Sequence, residues 1–260
     1  MFRLMGWLAL AGAMAAQEPA RIVWADEFNE PGLPDPAKWA YQTGGGGWGN
    51  RELQFYTAGR RENARVEDGR LIIEARREPW QGREYTSARL ATKGRKHFLY
   101  GWFEIRAKLP CGRGSWPAIW MLGEQWPEAP WPAVGEIDIM EHVGFDPGRI
   151  HAAIHTSAYN HAQNTQKSAS TELPRACEDF HVYALHWTPD RIAVYADGKP
   201  YFTFENERKT SAEWPFAKPQ YLLLNVAVGG AWGGRKGVDD AAFPQRMEVD
   251  YVRVWDRKPE

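Results

Sequence analysis

Short segments of alternating apolar and polar residues, interrupted by Gly, Pro, Asp and Asn, recur along the chain. Trp102-Phe103-Glu104-Ile105-Arg106-Ala107-Lys108-Leu109 alternates and is stopped by Pro110. Leu71-Ile72-Ile73-Glu74-Ala75 follows the turn pair Asp68-Gly69. Arg191 to Tyr195 and Tyr201 to Phe204 flank Asp197-Gly198, which predicts a hairpin turn. Tyr221 to Val228 is a nearly continuous apolar run, as expected of a strand buried on both faces or lining a cleft. From Met247 the alternation holds through Tyr251 and then changes parity, with Val252 and Val254 on the other side. The β-branched content still predicts a strand there. No convincing amphipathic helix exceeds a couple of turns. Many short strands with regular turn signals predict an all-β sandwich. No repeat, low-complexity tract or linker divides the chain, so residues 17–260 are expected to form one domain.

The segment Gly135-Glu136-Ile137-Asp138-Ile139-Met140-Glu141-His142 carries the strongest chemical signal. In a regular strand Glu136 and Asp138 face one way and Ile137 and Ile139 the other, which leaves Glu141 on the wrong parity. A β-bulge around Met140 would return Glu141 to the face of Glu136 and Asp138. Three carboxylates in a row repel one another, so a purely structural role does not favour them. Glycoside hydrolysis does. A retaining enzyme uses a nucleophile and an acid/base about 5 Å apart; the inverting separation is the alternative. On the retaining reading, ionised Glu136 raises the pKa of Glu141 and keeps it protonated for the leaving oxygen. Asp138 would hold Glu136 in position and help set the shared protonation state. A calcium cluster and a solvated edge strand compete with this reading. Alternating strand residues converge poorly on one ion, and Ile137 and Ile139 make the opposite face apolar.

Composition adds 14 Trp, 10 Tyr and 11 Phe. Flat apolar rings suit the C–H faces of a pyranose, although an aromatic-rich β core would use them equally. Lys and Arg total 32 against 33 Asp and Glu, a net charge of -1. That balance gives no electrostatic reason to expect a nucleic-acid or anionic-membrane partner. Residues 1–16 read as an export signal: Arg3 near the start, an apolar stretch from Leu4 to Ala13, then small residues to Ala16. The run is too short to span a bilayer. The mature protein is therefore expected to begin near Gln17, to be secreted and soluble outside the cytoplasm, and to act as a monomer. Cys111 and Cys177 suit that compartment as one disulfide. Without His or further Cys nearby in sequence they make a poor zinc site.

The carboxylate segment resembles the signature of glycoside hydrolase family 16, Glu-x-Asp-x-(x)-Glu on a cleft-lining strand. The resemblance covers most of residues 22–256 and extends to Trp24 to Phe28, Gly47 to Gln54, Tyr85 to Leu90, Gly114 to Met121 and Asn225 to Gly230. It implies a β-jelly-roll sandwich of two bent antiparallel sheets with an open substrate cleft. It also implies Glu136 as nucleophile, Glu141 as acid/base and Asp138 as their partner. Trp116 and Trp120 match tryptophans that stack on glucose near the cleaved bond. Arg89 and Asn225 match residues that hydrogen-bond sugar hydroxyls, and Trp232 is a candidate wall of a neighbouring subsite. His142 and His155 are weaker candidates for substrate contact. Structural roles compete for each: sandwich core for Trp116 and Trp120, a loop plug for Trp232, a surface ion pair for Arg89, a turn cap for Asn225, satisfied strand positions for both histidines.

The residue inserted at Met140 resembles the laminarinase-like branch, which implies retaining endo-hydrolysis of β-1,3-glucan. Some agarases and carrageenases share it, but a sulfated galactan would favour a basic cleft. A glucan-binding recognition protein, a mixed-linkage β-glycanase and a transglycosylase are the alternatives; binding relatives lack the carboxylates that this chain keeps. Catalysis is expected to need no cofactor. A structural calcium is implied on the convex face, with the carboxylates of Glu27 and Asp250 and the carbonyl of Gly69 as ligands; exposed strand charges are the competing reading. The Gly-rich loop at Gly44 to Gly49 is a candidate to narrow the cleft.

Overall fold

A computed structural model of the protein describes residues 18–260; the export signal expected over residues 1–16 lies outside the described residues. The alternating segments become β1 (Ile22–Asp26), β2 (Ala40–Tyr41), β3 (Gln54–Tyr56), β4 (Ala64–Glu67), β5 (Arg70–Trp80) and β6 (Arg83–Ser87). Then come β7 (Arg89–Ala91), β8 (Gly101–Lys108), β9 (Ser115–Gly123), β10 (Glu136–His142), β11 (Arg149–His155) and β12 (Lys167–Glu172). β13 (His181–Trp187), β14 (Arg191–Ala196), β15 (Lys199–Glu205), β16 (Gln220–Val228) and β17 (Gln245–Trp255) complete the set. Among the described residues the helical elements are two single 3-10 turns, His161–Gln163 and Asp240–Ala242.

The strands form two sheets. One has seven strands in the order β12-β11-β10-β9-β16-β7-β2. The other has ten, along β15-β14-β13-β8-β17-β5-β6-β3, with β1 on β17 and β4 on β5. The sheets are antiparallel as expected, save that the short β3 lies parallel to β6. The core between the sheets takes Ile137, Ile139, Leu222, Leu224 and Val226 from the first, and Leu71, Ile73, Ile105 and Val249 from the second. Each such buried aliphatic side chain contributes on the order of 1.5–3 kcal/mol.

Local chemistry explains the irregular places. Asp197 and Gly198 both adopt positive φ, 46° and 75°, as a tight hairpin between β14 and β15 requires. The parity change in β17 is a bulge, with the register against β8 shifting between Val249 and Tyr251. It lets Met247, Val249, Val252 and Val254 all enter the core. β16 is buried along its whole length: alternate residues enter the core, while Asn225 and Ala227 face the cleft. A disulfide joins Cys111 to Cys177, with Cα atoms 5.8 Å apart.

Candidate active site

The geometry of the site begins with the bulge in β10. Against β9, Asp138 pairs with Trp120 and Met140 with Ile119. Against β11, Asp138 pairs with Ala153 and Glu141 with His151. Between Asp138 and Glu141, β10 therefore uses one residue more than either neighbour. Ile139 and Met140 are both fully buried in the core, so the carboxylate face resumes at Glu141, as the parity argument requires. Directly opposed residues share a face of the sheet. One cross-strand row accordingly runs Arg89, Asn225, Ala118, Glu141, His151.

A cleft of about 610 Å³ opens over this face. Its floor holds Glu136, Asp138, Glu141, Ala118, Asn225 and Ala227, and Trp48, Trp116, Trp120, Trp126 and Trp131 line it. The Gly-rich loop also lines it, through Gly44, Gly46 and Gly49. Gly44 sits at φ +127°, a conformation side chains rarely adopt, and pairs with Tyr56, which ties the loop down beside the cleft.

Two tryptophans each donate an indole N–H to one of the paired glutamates. Trp131 Nε1 lies 3.0 Å from Glu136 Oε2, and Trp116 Nε1 lies 3.0 Å from Glu141 Oε1. His155 Nε2 is 3.3 Å from Asp138 Oδ2 and 3.8 Å from Glu136 Oε1. Burial pushes the carboxyls of Glu136, Asp138 and Glu141 up, each to about 8. For Glu141 the next cause after burial is the charge of Asp138. Glu136 and Glu141 also act on each other, the charge of Glu141 being among the causes that raise Glu136. The three carboxyls titrate as one coupled set.

The sequence candidates fall into distinct places. Trp116, Trp120, Arg89 and Asn225 line the cleft. Asn225 already accepts from Trp120 Nε1 at 2.7 Å and donates to Tyr56 Oη at 3.0 Å, so part of its amide serves to orient that indole. The Arg89 guanidinium lies between Trp48 and Trp120, 4.6 Å from each ring, and donates to Gln42 Oε1 at 2.6 Å. Trp232 packs edge-on against Trp116 and His151, beside the cleft-lining residues and not among them.

His155, opposed to Glu136 across β10 and β11, lies on the carboxylate face but is buried there against Asp138, Trp131 and His161. His142 is a clear correction. It follows Glu141 and so points to the opposite face, fully buried, with Nε2 3.8 Å from Cys111 Sγ. Burial pushes its pKa down to about 4. It is no substrate contact, and it supplies the histidine beside the cysteines that sequence proximity did not reveal.

The calcium ligands also sit differently from expectation. Glu27 is held by Arg253 through two 2.8 Å hydrogen bonds, and Asp250 by Arg106 at 2.6 Å. With both carboxylates neutralised by guanidinium groups, the residues as arranged do not fit a calcium ion.

Several cleft residues were not singled out from sequence. Trp131, Trp126, Trp48 and His161 line it, and the Trp131 ring lies tilted against His161 with centroids 4.8 Å apart. Glu52 is a fourth buried carboxyl, accepting from Gln54 Nε2 at 2.6 Å, and burial raises its pKa. Gly47 to Gln54 was noticed as a motif, but nothing in its spacing tells which side chain reaches the cleft.

Comparison with known proteins follows the same lines. The family model described as Glycosyl hydrolases family 16 matches residues 51–253. A curated relative, the beta-glucanase of Rhodothermus marinus, is 58% identical over 241 residues, which cover 90% of this chain and 84% of that one. The solved laminarinase from Rhodothermus marinus superposes with a TM-score of 0.90 at 55% identity, covering 92% of this chain and 98% of that one. SCLam, a non-specific endo-β-1,3(4)-glucanase, superposes with a TM-score of 0.88 at 52% identity, covering 94% of each chain.

Proposed function

The chain belongs to the glycosyl hydrolases of family 16, and from that membership we propose that it cleaves internal β-1,3 bonds of laminarin-like glucan with retention at the anomeric carbon. The observation that carries this is one face of β10: Glu136, Asp138 and Glu141 together on the floor of a tryptophan-lined cleft. Glu136 attacks the anomeric carbon while Glu141 gives its proton to the departing glycosidic oxygen. Forming the ester removes the charge of Glu136, which lowers the cost of ionising Glu141 beside it. Glu141 then takes a proton from water, whose oxygen displaces Glu136. Asp138, against His155, holds Glu136 and shares the cluster's protons.

The test is a product study on laminarin. Wild-type protein is expected to release oligosaccharides whose first-formed reducing ends are β-anomers by proton NMR. Glu136→Gln and Glu141→Gln are each expected to lose nearly all activity. Undiminished turnover in both would sink the assignment. Tight laminarin binding with no reducing-end release would favour the recognition-protein reading instead.

A sulfated galactan fits poorly. Glu52, Glu136, Asp138 and Glu141 line the cleft with Arg89 as the one guanidinium among the described lining residues. Those residues offer no basic cluster to hold sulfate. Tolerance of mixed 1,3/1,4 linkage is a second proposal, motivated by the likeness to SCLam. Side-by-side digestion of laminarin, mixed-linkage glucan and agarose decides it. Export is also part of the proposal, supported by the basic and apolar leader and by the disulfide. A mature N-terminus near Gln17 in the culture medium or periplasm is the expected result.

A further inference from the structure

Trp116 does more than offer a ring to the sugar. Its indole Nε1 donates to Oε1 of Glu141 at 3.0 Å, the one hydrogen bond that side chain makes among the described residues. An indole N–H is a donor with no acceptor capacity. It therefore faces an ionised oxygen, or the carbonyl oxygen of a protonated carboxyl, in preference to the oxygen that bears the proton, which is the weaker acceptor. The ring is also fixed in place. Trp232 packs edge-on with centroids 5.5 Å apart. Behind the ring, a Cβ added at Gly233 would come within 2.8 Å of Trp116 Cβ.

We propose that Trp116 is a positioning residue that decides which oxygen of Glu141 carries the transferable proton: by holding Oε1 as an acceptor, it confines that proton to Oε2. The inference rests on the glycosidase reading above. In the first step the proton leaves Oε2 for the glycosidic oxygen as that oxygen's bond to the anomeric carbon breaks and the bond to Glu136 forms. In the second, Oε2 takes a proton from water as the water oxygen bonds to the anomeric carbon and the ester bond to Glu136 breaks. One oxygen thus serves both steps, and Oε1 stays a fixed anchor.

Trp116→Phe keeps an aromatic face and removes only the donor. On laminarin its kcat/KM is expected to fall about ten- to a hundredfold, the loss of one hydrogen bond to a charged group. An aryl β-laminaribioside with an acidic phenol as leaving group needs little help from Glu141 in the first step. There the loss is expected to stay within about threefold. The indole N–H favours ionised Glu141, so the basic limb of the kcat/KM profile is expected to move to higher pH in the variant. Trp120→Phe is the comparator, because its N–H goes to Asn225. It is expected to lose similarly on both substrates with the limb unmoved.

Equal losses of Trp116→Phe on both substrates with an unmoved limb would overturn the proposal. A measurement on unmodified protein stands beside the variant in case it fails to fold. The indole N–H resonance that changes most in Glu141→Gln is expected to titrate with the midpoint of the basic limb; a resonance that does not titrate counts against the proposal. Wild-type turnover of laminarin with retention is measured in the same series, so failure of the glycosidase reading is seen separately.

Discussion

The indole Nε1 of Trp131 lies 3.0 Å from Oε2 of Glu136, so a residue on the loop entering β10 hydrogen-bonds the proposed nucleophile on that strand. The same ring tilts against His161 and His155, which holds the donor in place. A donor on Glu136 favours its ionised form and works against the burial that raises its pKa.

Removing that donor has a predictable sign. In Trp131→Phe the pKa of Glu136 rises further, so less of the nucleophile is ionised at a given acid pH. The acidic limb of the kcat/KM profile is expected to move to higher pH, and kcat to fall about tenfold at the optimum. An acidic limb in its wild-type position would argue that Trp131 only walls the cleft.

The bulge makes a sharper prediction about the chain itself. Deleting Met140 removes the bulge and leaves Glu136, Asp138 and Glu141 on alternate residues of a regular strand, so Glu141 keeps its face and its places opposite Ala118 and His151. Turnover is therefore expected to fall by less than the roughly hundred- to ten-thousandfold that loss of a positioned acid/base costs, while loss of the fully buried Met140 side chain lowers the melting temperature. Met140→Leu keeps the residue count and the volume. It is expected to retain most activity at a stability cost under about 1.5 kcal/mol. A deletion variant as inactive as Glu141→Gln would show that Glu141 needs the extra residue to reach the cleft.

Most of what was legible in the sequence followed from parity. The bulge in β10, the hairpin at Asp197-Gly198 and the irregularity in β17 all trace to a period of two that breaks at an identifiable residue. The same parity, applied one residue further, sends His142 away from Glu141, so its place against Cys111 was readable in principle. Partners set by register between distant strands were not readable. His155 meets Asp138 because Glu136 and His155 are opposed across β10 and β11. Arg253 reaches Glu27 because Ala25 and Arg253 are opposed across β1 and β17. Loop residues such as Trp131 and Glu52 carry no periodicity, so their aim into the cleft had no signal beyond proximity to a motif.

The pairing of Glu27 with Arg253 and of Asp250 with Arg106 sets an expectation for metal dependence. A calcium ion would have to displace guanidinium groups from both carboxylates. Melting curves recorded with added calcium and with a chelator are therefore expected to superimpose. A calcium-dependent rise in melting temperature, lost in Glu27→Gln, would restore the metal site implied by the family resemblance.

The middle carboxylate is where stability and catalysis oppose each other. Asp138 is 3% exposed, its Oδ2 lacks a hydrogen bond among the described residues, and burial raises its pKa to about 8. The unfolded chain holds an aspartate near its ordinary value of about 3.9. Between these values the folded state binds more protons than the unfolded state. Stability therefore declines as pH rises from about 4 to about 8 and is flat beyond. Asp138→Asn keeps the shape and removes that titration. Its melting temperature is expected to exceed that of wild type at pH 8, by roughly 2–4 °C for each kcal/mol relieved in a domain of this size. The gap is expected to close toward pH 4, where wild-type Asp138 is already neutral in the folded state. Activity is expected to fall in the same variant, because an amide cannot share a proton with Glu136 and Glu141. Calorimetry across that range, alongside laminarin turnover, measures both effects. A melting difference that does not change with pH would mean that the buried charge of Asp138 is not what the fold tolerates for the sake of the site.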